Sequence, residues 1–386
     1  MTAAANQWVA KAEELARTSL ALHAEDVDRQ GRWPTESIAA LGASGLLGLT
    51  VPQKYGGAEE GARTFSAVTR ILAEQCASTA MIYLMHVCAT QMISAATTFP
   101  KREEVLRASV GGRHLSTLAF SEKGSRSHFW APISKAVVEG DTHRLSAEKS
   151  FVTSAGRADS YVVCTRSASA NDPLVSTLYF VPADAPGIHV GPAWNGLGLR
   201  GNASAAVQFE GVTVPASNRL SDEGGGFNAM LNTVLPWFQI GTAAVAVGIA
   251  RAATEATRQH LLAAKFEHLD QRLSSLPTLR ARLAQMRIAV DVQSAFVEHV
   301  AGLMERPDAE TMLAVLESKA AAAETALHVS DLAMRVCGGA AFGRRLTVER
   351  HFRDARAGSI MAPTTDVLYD FVAKILLEMP LFGDSS

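Results

Sequence analysis

The chain has 386 residues, 48% of them apolar and 19% charged, with a formal net charge of −2. A chain of this length buries a large core and divides into two or more units, and its composition excludes intrinsic disorder. The near-neutral balance excludes the broad basic face that nucleic-acid binding needs, while leaving room for a local cationic patch at an anionic ligand.

The first 30 residues are amphipathic and include Glu13, Glu14, Glu25 and Asp26. Targeting leaders lack such acids, so the segment reads as a helix of the mature protein. Helical periodicity covers 12–24, 35–41, 62–75 and 78–98, broken between Pro52 and Gly57 by proline and a glycine pair. From about residue 115 the pattern changes to strands. Val137-Val138 and 145–152 flank the turn signal Glu139-Gly140-Asp141, and 161–165, 176–181 and 206–214 are further β-branched or alternating runs. Past Gly224-Gly225-Gly226, long Ala/Leu-rich periods over 229–264, 276–304, 310–336 and 364–378 predict an antiparallel four-helix bundle. The expected fold class is α+β in three units: helices over 1–114, a β barrel or sandwich over 115–225, and a helical bundle over 226–386.

The bundle segments are apolar on more than one face, which predicts self-association. The most apolar stretch, 240–250, is too short to span a membrane and reads as a tightly packed core helix. Cys76, Cys88, Cys164 and Cys337 lack the spacing of a metal or redox site and read as buried thiols of a cytoplasmic protein.

Five motifs carry a resemblance: Gly45-Leu46-Leu47-Gly48-Leu49-Thr50-Val51-Pro52 with Tyr55-Gly56-Gly57; the loop from Leu118-Ala119-Phe120-Ser121-Glu122 to Ser127; Lys149-Ser150-Phe151-Val152-Thr153-Ser154-Ala155 with Ala158-Asp159; Gly198-Leu199-Arg200-Gly201 through Val214-Pro215; and Phe352-Arg353-Asp354-Ala355-Arg356 through Val367. In this order, over nearly the whole chain, they resemble the acyl-CoA dehydrogenase superfamily of flavoproteins. The resemblance implies the same three-unit fold, a homotetramer, and a flavin (FAD, with FMN as the alternative) at the junction of the β unit and the bundle. It also exposes a departure. With Ile360 and Thr364 laid on the family pattern, Ala362 stands where the catalytic Glu belongs and Pro363 where a Gly belongs.

On that pattern Phe120 and Ser121 meet the pyrimidine edge of the flavin, Phe151 packs on the ring, Thr153 bonds N5, and Thr364 borders the same wall. A neutral donor at N5 stabilises reduced flavin without adding a competing acid. The family's R-x-x-F-G run, whose Arg reaches the pyrophosphate, is replaced by Phe266-Glu267-His268-Leu269-Asp270, with Lys265 beside it as a substitute point charge. Arg335, ahead of Gly338-Gly339, is the other candidate for a phosphate.

The second base position of the family and its CoA-anchoring Arg correspond to Phe238 and Gln239. Ser127 and His128 end the flavin loop, and Lys374 stands where an Arg often backs the base. Abstracting an α-proton needs a positioned base, worth roughly 10²–10⁴ in rate. The remaining candidates are Asp366, one turn past Ala362, with His128 and His86. Two of them have an ordinary role as well: Asp366 at a helix dipole and His86 in the core. Three functions follow. The first is an oxidoreductase on a CoA- or carrier-bound thioester. The second is a reduced-flavin monooxygenase served by a separate flavin reductase, and the third a non-catalytic subunit of a mixed tetramer.

Overall fold

The computed structural model describes residues 2–382 except 127, 171 and 173, so the expectation for Ser127 lies outside the described residues. The N-terminal helices begin and end at cap residues. Thr2 accepts the Ala5 N–H at 3.1 Å and starts α1 (Ala3–Leu15), which runs through a wide turn at Ala16–Leu20 into α2 (Ala21–Gln30). Gly31, at φ 63°, stops α2. Then come α3 (Thr35–Ser44), α4 (Ala62–Gln75), α5 (Ala77–Ala95) and α6 (Arg102–Val110). The last was not expected, because Arg102, Glu103, Glu104 and Arg107 mask its apolar positions.

Two sheets follow and face each other. One has the order β1 (Ser116–Ala119), β4 (Ser160–Arg166), β5 (Ser176–Pro182). The other runs β2 (Val137–Glu139), β3 (Thr142–Val152), β7 (Ala205–Pro215), β6 (Ile188–Val190). Strands β3 and β7 alternate buried and exposed side chains, as half-buried strands do. Their inward residues Leu145, Ala147, Val207 and Phe209 join Tyr161, Val163, Tyr179 and Val181 of the other sheet in one cluster. The unit is a sandwich.

Helices resume with α7 (Gly226–Ala229), then α8 (Leu235–Ala263), a small hairpin of β8 (Lys265–Phe266) and β9 (Gln271–Arg272), α9 (Pro277–Glu305), α10 (Thr311–Cys337) and α11 (Gly339–Phe342). Helices α12 (Val348–Ile360) and α13 (Thr365–Leu376) complete the chain. The segment Gly226–Ala263 is long and apolar enough to cross a bilayer, yet 78% of its most apolar window is buried in protein. At Gly248 a methyl group would sit 2.5 Å from the Arg70 carbonyl, so glycine is what lets α8 lie close on α4. Four long helices were expected here and α12 was not. Its buried face mixes Val348, Ala355 and Gly358 with the polar His351, Arg353 and Asp354, so its apolar positions are too few to mark a period.

Candidate flavin and substrate cavity

A cavity of about 820 Å3 opens where the sandwich meets the bundle. Phe120 and Ser121 after β1, Phe151 and Thr153 at the end of β3, Met81 and Met85 of α5, Phe238 of α8, and Met361, Ala362 and Thr364 between α12 and α13 form its walls. Register slips between Lys149 and Val152, where β3 leaves β7. That bulge puts Phe151 at φ 54° and turns its ring outward, 71% exposed and edge-on to Trp194 at 6.4 Å.

Buried charges hold the walls in place. Lys149, fully buried, donates to Glu122 Oε1 at 2.6 Å and to the carbonyls of Phe120, at 3.1 Å, and Cys164. Glu122 also accepts the Ile133 and Ser134 N–H groups at 2.6 and 2.8 Å. Burial alone would raise the Glu122 pKa. The Lys149 ammonium and the Ser134 bonds outweigh it and hold the carboxylate below its usual range. Across the cavity, Asp354 Oδ1 accepts the Leu199 N–H at 2.7 Å, and Arg353 forks onto Asp28 and Glu349. Helix α12 is thus tied to both α2 and the loop at Leu199.

Beneath the Ala362 wall lies Lys319 of α10, only 1% exposed. Its Nζ donates to the Met361 carbonyl at 2.8 Å and to the Pro363 carbonyl, bracketing Ala362 from behind, and burial draws its pKa down to about 7. The sequence reading missed this residue. A lysine inside the Ala-rich run of α10 was the available signal.

Seven predicted residues come together on the cavity: Phe120, Ser121, Phe151, Thr153, Phe238, Ala362 and Thr364. Thr364 also caps α13, accepting the Val367 N–H at 3.4 Å. Of the others, those described do not line it. His86 is fully buried; its Nε2–H donates to the Leu47 carbonyl and its Nδ1 accepts the Ser116 N–H, both at 3.1 Å. Burial lowers its pKa to about 4, and the ring fastens β1 to the Leu47 segment, away from the cavity lining. His128 is exposed and stacks on Trp130 at 5.0 Å, outside the cavity. Asp366 is exposed in the first turn of α13, the place where a carboxylate serves the helix dipole. Lys374 pairs with Asp370 at 3.1 Å and does not reach the Ala362 wall. Gln239 is wholly buried in α8, its side-chain amide without a hydrogen bond among the described residues. Arg335 is exposed near Asp331, and Gly338 and Gly339 are exposed at the far end of α10.

Glu122, Lys123 and Arg126 are the only ionisable side chains among the described lining residues, and Glu122 is fully engaged. Among the described residues, the cavity wall therefore offers no free carboxylate or imidazole. A flavin fits these walls: Phe151 supplies an aromatic face, while the hydroxyls of Ser121 and Thr153 make no hydrogen bond within the described residues.

Comparison with known proteins agrees along the chain. The families described as acyl-CoA dehydrogenase N-terminal, middle and C-terminal domains match residues 2–113, 117–212 and 224–377. The probable acyl-CoA dehydrogenase YngJ of Bacillus subtilis (strain 168) is 28% identical over 95% of this chain and 96% of its own length. The solved butyryl-CoA dehydrogenase from Megasphaera elsdenii superposes with a TM-score of 0.92 at 24% identity, covering 98% of this chain and 99% of that one. An acyl-CoA dehydrogenase from Geobacillus kaustophilus gives 0.90 at 25% identity, covering 97% and 98%. With all three of its units matched in order, the chain belongs to the acyl-CoA dehydrogenase family of flavin-dependent oxidoreductases.

Proposed function

We propose that this enzyme binds FAD in the cavity and acts on an acyl thioester, with Ala362 in the place of the family's catalytic Glu. The observation that carries this reading is the wall itself: at Met361, Ala362 and Thr364 it presents no proton acceptor of ordinary basicity. A flavin bound there supplies the two-electron redox chemistry. Thr153 would hold its N5, Ser121 the pyrimidine edge and Phe151 one ring face, while Met81, Met85 and Phe238 keep the acyl side dry.

The exposed apolar residues Ile288, Val292, Phe342, Leu376 and Leu377 of the bundle favour a homotetramer. Phe342 follows Arg335, Gly338 and Gly339 within the same exposed end of α10 and α11, so a contact of that segment with flavin is read as crossing a protomer boundary. The same base-free, apolar wall also favours a second reading, a reduced-flavin monooxygenase supplied by a separate reductase.

The test is anaerobic mixing of the FAD-loaded protein with butyryl- and octanoyl-CoA, followed by absorbance at the flavin band. Saturated acyl-CoAs are expected to bleach the flavin very slowly, since a missing general base is worth roughly 10²–10⁴ in rate. Ala362→Glu combined with Pro363→Gly should accelerate bleaching. The double change is the right one, because proline fixes its own φ and biases the preceding residue away from helical conformations. Rapid bleaching by the unmodified protein would overturn the reading. Product that incorporates oxygen only when reduced flavin is supplied would favour the second one.

A further inference from the structure

The family's pyrophosphate-binding Arg has no counterpart in Phe266–Asp270, so the charge that meets a phosphate must come from elsewhere if one is bound. Electrostatics separates the candidates. Lys265 is held by two carboxylates, Asp270 at 3.0 Å and Glu267 at 3.4 Å. Arg335 lies 3.9 Å from Asp331 and its segment does not line the cavity. A cation already compensated on an exposed hairpin gains little from a second anion.

Lys123 and Arg126 are different. Both line the cavity, both are exposed, and neither makes an ion pair or hydrogen bond with the described residues. They lie on one short loop whose base is fixed by the buried Glu122–Lys149 pair, so the loop's own acid cannot neutralise them. Gly124, at φ 100°, and Arg126, at φ 50°, both take left-handed backbone there. For glycine this is easy; for arginine it is strained, and such strain collects where a side chain is aimed at a ligand. The rest of the wall is mostly apolar, which leaves these two charges as the only uncompensated ones among its described residues.

We propose that Lys123 and Arg126 form a phosphate clamp at the cavity mouth, supplied by the same protomer whose cavity it closes. Its ligand is the phosphate of a nucleotide: the diphosphate of FAD first, with the phosphates of a CoA thioester as the other source of the same chemistry. The proposal rests on the reading of the cavity as a flavin and thioester site, and the experiment keeps the two apart.

Equilibrium binding is measured by flavin fluorescence quenching for riboflavin, FMN and FAD. Calorimetry does the same for butyryl-CoA against butyryl-N-acetylcysteamine, which carries no phosphate. The proteins are the full-length chain, Lys123→Gln with Arg126→Gly, and Lys265→Gln. Glycine is chosen at 126 because it keeps the left-handed backbone. Losing two charge-assisted contacts is expected to weaken FAD binding by roughly 10- to 100-fold, leave riboflavin unchanged, and flatten the salt dependence. Loss confined to butyryl-CoA, with the phosphate-free thioester unchanged, would support the clamp and assign it to the substrate. Equal affinity of wild type and double variant for every phosphate-bearing ligand would overturn it, as would a larger loss in Lys265→Gln. If no flavin binds at all, the flavin reading fails, and the thioester pair still decides the clamp.

Discussion

Replacing Lys319 by Met tests whether a buried amine supports the cavity wall at Ala362. Methionine retains the apolar stem and deletes the two hydrogen bonds to the Met361 and Pro363 carbonyls. Each carbonyl left dry and unpaired costs about 1–3 kcal/mol, so the loss sums to roughly 2–6 kcal/mol. Against it stands the cost of keeping a charge in a site only 1% exposed. That cost depends on pH, and its sign follows from linkage. Burial lowers the Lys319 pKa from 10.5 to about 7, so between those values the unfolded chain binds more protons than the folded one. The stability contributed by Lys319 is then complete above 10.5 and declines as pH falls toward 7. The advantage of wild type over Lys319→Met should therefore grow by about 3 kcal/mol from pH 7 to pH 10. Urea denaturation of both proteins at pH 7, 8.5 and 10 measures it, and taking the difference cancels the titration of every other group. Parallel pH dependences would refute the reasoning. They would mean that the two carbonyls hold the proton on Nζ and offset burial completely.

Thr153→Val should weaken FAD binding about fivefold, the loss of one hydrogen bond of about 1 kcal/mol, and shift the flavin reduction potential. Unchanged affinity and potential would remove Thr153 from the site. For His86, burial puts the folded pKa near 4, below the usual 6.5, so its contribution is complete above pH 6.5 and is lost as pH falls toward 4. The wild type should lose roughly 3 kcal/mol over that interval through this residue. His86→Gln should show a shallower acid limb in thermal melts, and an equally steep one would reassign the effect to other groups.

Much of the fold was legible because apolar periodicity marks elements whose buried face is apolar. Helices α4, α5, α8, α9 and α10 fall near their expected ranges, as do β3, β4, β5 and β7. Helix α12 escaped because its inward face sets His351, Arg353 and Asp354 among the few apolar residues Val348 and Ala355, legible as a motif and too sparse to show as a period. The cavity wall was legible from motif order, since Phe151 and Thr153 sit on a bulged strand end that alternation alone would not have singled out. Where the candidate bases lie was not legible: Asp366 is exposed at a helix start, His128 stacks on Trp130 and His86 is buried with both ring nitrogens bonded, all three outside the cavity lining.

The distribution of charge around the cavity bears on how the wall at Ala362 is held. Glu122, Lys149, Arg353, Asp354 and Lys319 are all buried, and every one is bonded to backbone carbonyls, amides or a countercharge that fixes a wall segment. None of these bonds involves the side chain at position 362. Removing a carboxylate there leaves the supports of the wall intact, because Lys319 grips the carbonyls on either side of that residue and not its side chain. A folded wall therefore does not depend on which side chain stands at position 362. On this argument Ala362→Glu with Pro363→Gly tests chemistry and Lys319→Met tests support, and the two should act independently. Lys319→Met should change stability and its pH dependence whichever residue occupies position 362, while the rate of flavin bleaching should follow position 362. A double cycle in which the carboxylate restores bleaching only when Lys319 is present would instead mean that the amine orients the base, making the wall and the chemistry a single unit.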